Sequence, residues 1–240
     1  MKLRLAVVLA TCMAIVPSVF AVSSTIVISQ VYGGGGNTSA PYQNDFIELY
    51  NRGTTTVNVT GWTVQYASAS GTSWTNSTTL SGSIAPGHYF LVKEAAGNSC
   101  SGLPCGIALP AAEATGAIAM SASAGKVALV NNGTALSGNG CPFAAGVVDF
   151  VGYGGANCSE GTPTPTLTNT TAASRINNGC TDTDNNSADF SVAAPNPRNS
   201  SSTNTCGNNP PTITPPANPI KTVDQDAPPF TVNLTGNDDG

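Results

Sequence analysis

The stretch QNDFIELYNRGTTTVNVTGWTVQY, Gln43 to Tyr66, decides how this chain is read. From Asp45 to Tyr50 it alternates, with Ile47 and Leu49 on one face and Phe46, Glu48 and Tyr50 on the other, as side chains do along a strand. Asp45 and Glu48 therefore point to opposite faces. An acid pair for hydrolysis needs both carboxyls aimed at one bond, and this spacing achieves that on a helix, not on a strand. Arg52, beside Glu48, reads as its partner in a surface ion pair. Asn51-Arg52-Gly53 turns the chain, Val57 to Val59 continues it, and Gly61 to Tyr66 forms a further strand with Trp62 and Tyr66 near its ends.

Working outward, TIVISQVY (Thr25 to Tyr32) is another β-branched alternating run, closed by Gly33 to Gly36. No Lys-Ser or Lys-Thr follows those glycines and no helical pattern begins after them, so they read as a flexible turn and not as a phosphate cradle. Short strands are expected around Leu80 and over His88 to Lys93, Ala117 to Met120, Lys126 to Asn131 and Gly146 to Tyr153. No segment sustains a 3.6-residue apolar period, and many strands without helices indicate an all-β sandwich or barrel.

Lys2 and Arg4 precede an apolar run from Leu5 to Val16 and the small-residue site Val19-Phe20-Ala21, the pattern of an export signal over residues 1–21. The mature chain is then secreted or displayed at the cell surface, and no later segment is long and apolar enough to span a bilayer as a helix. Of eight basic residues, Lys2 and Arg4 leave with the signal, so six face thirteen acidic ones. Without a basic cluster, nucleic acid is not an expected partner. Of seven cysteines, Cys12 leaves with the signal, and six in an exported chain are expected to form three disulfides. Sequence leaves their pairing open; neighbours are favoured, namely Cys100 with Cys105, Cys141 with Cys158 and Cys180 with Cys206. No CxxC spacing points to zinc instead.

Seven stretches, IVISQVY, NDFIELYNRG, VNVTGWTVQY, IAPGHYFLV, GKVALVN, VVDFVGYG and DTDNNSADFSVAAPNPRNS, together resemble the lamin tail domain, from Thr25 to about Ser200. The resemblance implies an immunoglobulin-like β-sandwich over residues 22–206. It implies that Ile47, Leu49, Trp62 and Val64 are core framework, and Glu48 framework too. Bacterial relatives are accessory modules, some joined to nucleases, phosphatases or surface-anchored repeats. This chain departs from the lamin version in a cysteine-containing insert over about 97–116 and in lacking basic surface charge, so chromatin binding does not carry over. After Cys206 comes a proline-rich linker, 207–222, and residues 223–240 resume alternation in a way similar to the start of a bacterial immunoglobulin-like or cadherin-like repeat.

Catalytic candidates are few. His88, the sole histidine, follows a Pro-Gly turn with no GxSxG elbow anywhere, so no catalytic residue is assigned within the chain. Lys93, Glu94 and Lys126 read as surface charges. Trp74 and Tyr42 sit in Ser/Thr/Gly-rich loops, under which they are expected to be partly covered. In CTDTDNNSADF the alternation of Asp182, Asp184 and Asn186, followed by Asp189, is a candidate weak calcium site of about 10⁻⁴ to 10⁻³ M; the competing reading is a polar turn capped by its own Asx side chains. No other cofactor is expected. The functional expectation is a non-catalytic binding or spacer module of a larger extracellular protein, meeting a protein or polysaccharide, with the accessory domain of a nuclease or phosphatase as the alternative.

Overall fold

Alternating β-branched residues broken by Gly, Pro and Asn turns give strands of two to eight residues. The computed structural model describes residues 25–138, 141–143 and 146–207. The expected export signal at 1–21, the expected linker beyond Gly207 and the expected unit at 223–240 lie outside the described residues. In chain order the strands are β1 Ile26–Tyr32, β2 Asn44–Asn51, β3 Val57–Asn58, β4 Thr63–Ser68, β5 Asn76–Thr79 and β6 Ser83–Ile84. They continue with β7 Tyr89–Ala96, β8 Ala114–Thr115, β9 Gly125–Val130, β10 Val147–Tyr153, β11 Ala172–Arg175 and β12 Phe190–Ala193, with one helical turn, α1 Asn186–Asp189, before the last.

Two sheets pack face to face as the expected immunoglobulin-like β-sandwich. One has the order β12-β11-β1-β2-β7-β8 and the other β10-β9-β4-β5, while β3 and β6 pair separately. The β7–β8 pair is parallel and the remaining pairs are antiparallel. Between the sheets lie Ile26, Ile28, Val31, Ile47, Leu49, Val64, Tyr66, Phe90, Val92, Val127, Leu129, Val151 and Tyr153. Ile47, Leu49 and Val64 are fully buried, but Trp62 is only half-buried and packs on the core from outside. It precedes β4 and sits at the sheet's rim, so the sandwich closes without enclosing it.

A register shift between Ile28 and Gln30 inserts Ser29 into β1. That bulge moves the inward set from even positions to Val31 and puts Gln30 on the outer face. Every residue of β1 and β9 is buried, because loops cover both outer faces of the sandwich. Trp74, Ala128, Val130 and Phe150 pack on the outer side of the four-stranded sheet, and Val27, Tyr50 and Tyr89 on the outer side of the six-stranded one.

The strand expected at Ala117 to Met120 does not form. Ile118 and Met120 plug into the core, and carboxylates take their amide protons instead of a neighbouring strand: Glu94 accepts from Ile118 N at 2.9 Å and Asp45 from Met120 N at 2.8 Å. The glycine run is likewise no flexible turn. Gly33 to Gly36 are buried, and a Cβ on Gly35 would lie 1.9 Å from the carbonyl carbon of Asn44. Glycine is required there because two backbones touch.

Candidate functional site

Glu48, on the outer face of β2, is completely buried. Ser29, supplied by the β1 bulge, donates to its Oε1 at 2.6 Å, Arg198 Nη2 donates to Oε1 at 2.8 Å, and the Arg198 backbone amide donates to Oε2 at 2.6 Å. Burial raises the Glu48 carboxyl from its ordinary value, and the Arg198 guanidinium pulls it back. Arg198 also stacks on Tyr89, 3.9 Å from its ring centroid, and donates to the Tyr89 hydroxyl at 2.7 Å. The expected surface pair with Arg52 is not formed. Arg52 follows the end of β2, and four residues of extended chain put it about 13 Å from Glu48; it lies instead 3.2 Å from Asp182.

Asp45 faces the other way, accepting from the amides of Gly35 and Met120 and so fixing the glycine loop. Burial, helped by the charge of Glu94, pushes it up to about 7 against those two hydrogen bonds. Glu94, read as a surface charge, is buried and accepts from Thr78 Oγ1 at 2.6 Å. Neither acid pair converges on a shared open point.

A second buried network surrounds Arg175 of β11. Its Nη2 lies 2.8 Å from Asp149, its Nη1 2.9 Å from Asp182 and 3.6 Å from Asp189, and its guanidinium is 4.4 Å from the Phe190 ring centroid. Asp149 also receives the Ile28 amide, tying β1 to β10. Of the four calcium candidates, Asp182 is thus paired to Arg175. Asp189 accepts from Thr183 and Asn185, and Asn186 bridges Phe150 O, Gly152 N and Glu160. Asp184, half-buried at φ 55°, has its carboxyl raised by burial and then by the charges of Asp182 and Asp189. Asp182, Asn186 and Asp189 thus hold the turn, an arrangement the competing reading also expects. The carboxylates that do converge are Asp149, Glu160 and Asp182, with ligand atoms within 4.8 Å of one another, but Arg175 already bonds two of them. Burial first, then the charge of Asp149, pushes Glu160 up to about 9.

Lys126 is fully buried under the loops of the second sheet, contrary to its surface reading. It donates to Gly71 O and Asn157 Oδ1, each at 2.7 Å, and lies 5.6 Å from the Trp74 ring centroid. An alternating GKVALV pattern that puts Lys in register with Ala128 and Val130 was the available signal. Trp74 is 1% exposed, more deeply covered than a loop position suggests, while Tyr42 is half-buried against Phe46. His88 is half-exposed, its Nδ1 2.8 Å from the Ser200 carbonyl oxygen, with no nucleophile bonded to it.

The cysteines pair as neighbours, Cys100 with Cys105, Cys141 with Cys158 and Cys180 with Cys206, with Cα atoms 5.2 Å apart in each. An open cleft of about 290 Å³ lies beside the third pair, lined among others by Tyr50, Arg52, Pro86, Thr203, Asn204 and Cys206. Thr25 and Gly53 meet at the same end of the molecule, where Arg52 N donates to Thr25 O at 2.8 Å. Chain entry and chain exit are therefore neighbours. The Cys100–Cys105 insert sits at the opposite end of β2, joined to it through Gln43 N and Ile107 O at 2.9 Å. It carries Leu103 and Ile107, 68% and 66% exposed. No helix among the described residues is long and apolar enough to cross a membrane.

The model of one protein family, the lamin tail domain, matches residues 21–155. Among solved structures, a DUF4876 family protein from Bacteroides thetaiotaomicron is similar, with a TM-score of 0.47 and 13% identity over 72% of this chain and 71% of that one. No curated protein matches.

Proposed function

The chain belongs to the lamin tail domain family, and from that premise we propose that it serves as a non-catalytic binding module of an exported protein, secreted or held at the cell surface. The observation that carries this reading is the engagement of the acids that chemistry would need. Asp45, Glu48, Glu94 and Asp149 are buried and each accepts hydrogen bonds from backbone or from a structural cation. A carboxyl saturated in this way has no lone pair directed at a substrate. The three cysteine pairs fit an oxidising compartment.

Binding is favoured over spacing by what the free end of the sandwich presents. The chain leaves after Cys206 at one end, and the stapled insert carries the exposed side chains of Leu103 and Ile107 at the other. An extracellular protein or polysaccharide is the class of partner proposed. The proline-rich residues after Cys206 favour one second reading, in which the module is the front of an extracellular nuclease or phosphatase whose catalytic domain lies beyond residue 240, or of a run of immunoglobulin-like or cadherin-like repeats.

Purified residues 22–207 should hydrolyse neither DNA nor phosphate esters, with or without divalent metal. Turnover that disappears in a folded Glu48→Gln variant would overturn the non-catalytic reading.

A further inference from the structure

The segment 194–206 crosses the outer face of the six-stranded sheet after β12 and is held in an unusual way. Of its residues only Pro195 and Pro197 are buried, so it contributes little apolar anchorage of its own. Polar ties hold it instead: the Gln30 amide pairs with both backbone groups of Asn196, Arg198 meets Glu48 and Tyr89, Ser200 meets Glu113, and Asn204 accepts from the Tyr50 hydroxyl at 3.0 Å. Its backbone pairs with a strand-like partner at one bridge, His88 to Thr203. Its last residue, Cys206, is bonded to Cys180, and that pair covers Val27, Tyr50 and Tyr89.

We propose that segment 194–206 is a releasable strap and that Cys180–Cys206 is its catch, a site for thiol–disulfide exchange with a dithiol reductant. Cys206 is half-buried and lines the open cleft together with Arg52, so the cleft is the side from which an attacking thiolate meets the pair. The Sγ–Sγ bond breaks, a mixed disulfide forms on Cys206, and Cys180 leaves as the thiolate. Asn204 Nδ2, 3.3 Å from Cys180 Sγ, donates toward the developing charge. The second thiol of the reagent then attacks the mixed disulfide and frees Cys206; two electrons pass from the dithiol to the pair, and the reagent ends as a disulfide. Water reaches Glu48 as the strap lifts, so its carboxylate is solvated and not left buried without Arg198. β11 and β12 stay paired, and the face formed by Val27, Tyr50 and Tyr89 is uncovered.

Trypsin reads the strap directly at the Arg198–Asn199 bond, with Arg175 and Lys126 in the same chain as reporters of global unfolding. Residues 22–207 are digested under native conditions, either oxidised, treated with dithiothreitol, or carrying Cys180→Ser and Cys206→Ser. A Cys100→Ser, Cys105→Ser variant controls for loss of the insert bond. Cleavage at Arg198 should rise about tenfold or more on reduction and in the Cys180/Cys206 variant, since proteolysis tracks the open population, and should be unchanged in the control. Cleavage at Arg175 and Lys126 should stay slow throughout. Equal protection of Arg198 with and without the bond overturns the proposal, as does simultaneous cleavage at all three sites in the Cys180→Ser, Cys206→Ser variant, in which the other two disulfides remain.

Discussion

Burial without sufficient counter-charge holds Glu160 protonated at neutral pH, and Asp45 close to half so, the two carboxyls being raised to about 9 and about 7 from ordinary values of 4.5 and 3.8. In the unfolded chain both ionise near those ordinary values, so the folded state binds the extra protons between the two limits. Stability is then fully present below about pH 4 for these two groups and is lost as pH rises through their folded values, by about 1.4 kcal/mol per pH unit for each group inside its window. Chemical denaturation between pH 5 and 9 should show a stability that falls toward the alkaline side, and Glu160→Gln should flatten the part between pH 7 and 9. A profile that climbs with pH would mean Glu160 is ionised in the fold. The two tryptophans also differ: Trp74→Ala removes a fully buried ring packed on Phe150 and should cost about 3–5 kcal/mol, whereas half-buried Trp62→Ala should cost clearly less. Equal losses of melting temperature would contradict that ranking.

Strand alternation in Asn44–Tyr66 made β2 and β4 legible, with Ile47, Leu49 and Val64 in the core, because period-two patterning survives any environment that buries one face. It did not disclose that the other face is buried too. Glu48, Glu94 and Lys126 read as surface charges because their partners, Arg198, Ile118 and Asn157, come from loops tens of residues away. β11 (AASR) carries too little apolar alternation to be seen, and it is a strand because β1 and β12 pair with it on either side. The calcium candidates illustrate the same limit of local pattern: alternate Asp and Asn side chains fit an ion loop and a capped turn equally, and the pairing of Asp182 with Arg175 is what favours the turn. Thermal melts in millimolar calcium and in chelator should coincide; a midpoint raised by calcium and lost in Asp184→Ala would restore the ion site. At the glycine run, Gly35→Ala should destabilise by about 1–3 kcal/mol, the range for forcing atoms into packed space, and an unperturbed melt would show that β2 can yield there.

Across the molecule, the first and last parts of the described residues are folded into each other. The family match ends at residue 155, yet Leu167, Ala173 and Phe190 complete the core between the sheets, and β11 and β12 cover the flank of β1. Arg175, from the same later segment, is the cation that Asp149 was buried against, and Arg198 is the one for Glu48. Removing one partner of a buried ion pair costs about 3–5 kcal/mol, and a domain of this size is stable by only about 5–15 kcal/mol in total. Losing Arg175 from beside buried Asp149 together with three core side chains, at about 2–5 kcal/mol each, uses up that margin. Residues 22–155 expressed alone, in an oxidising compartment, should therefore show no cooperative melt and fast amide exchange throughout. Residues 22–207 should melt in a single transition, with β1, β2 and β9 the slowest to exchange. A protected, cooperatively melting 22–155 fragment would mean that the segment after Tyr153 decorates a sandwich already complete without it.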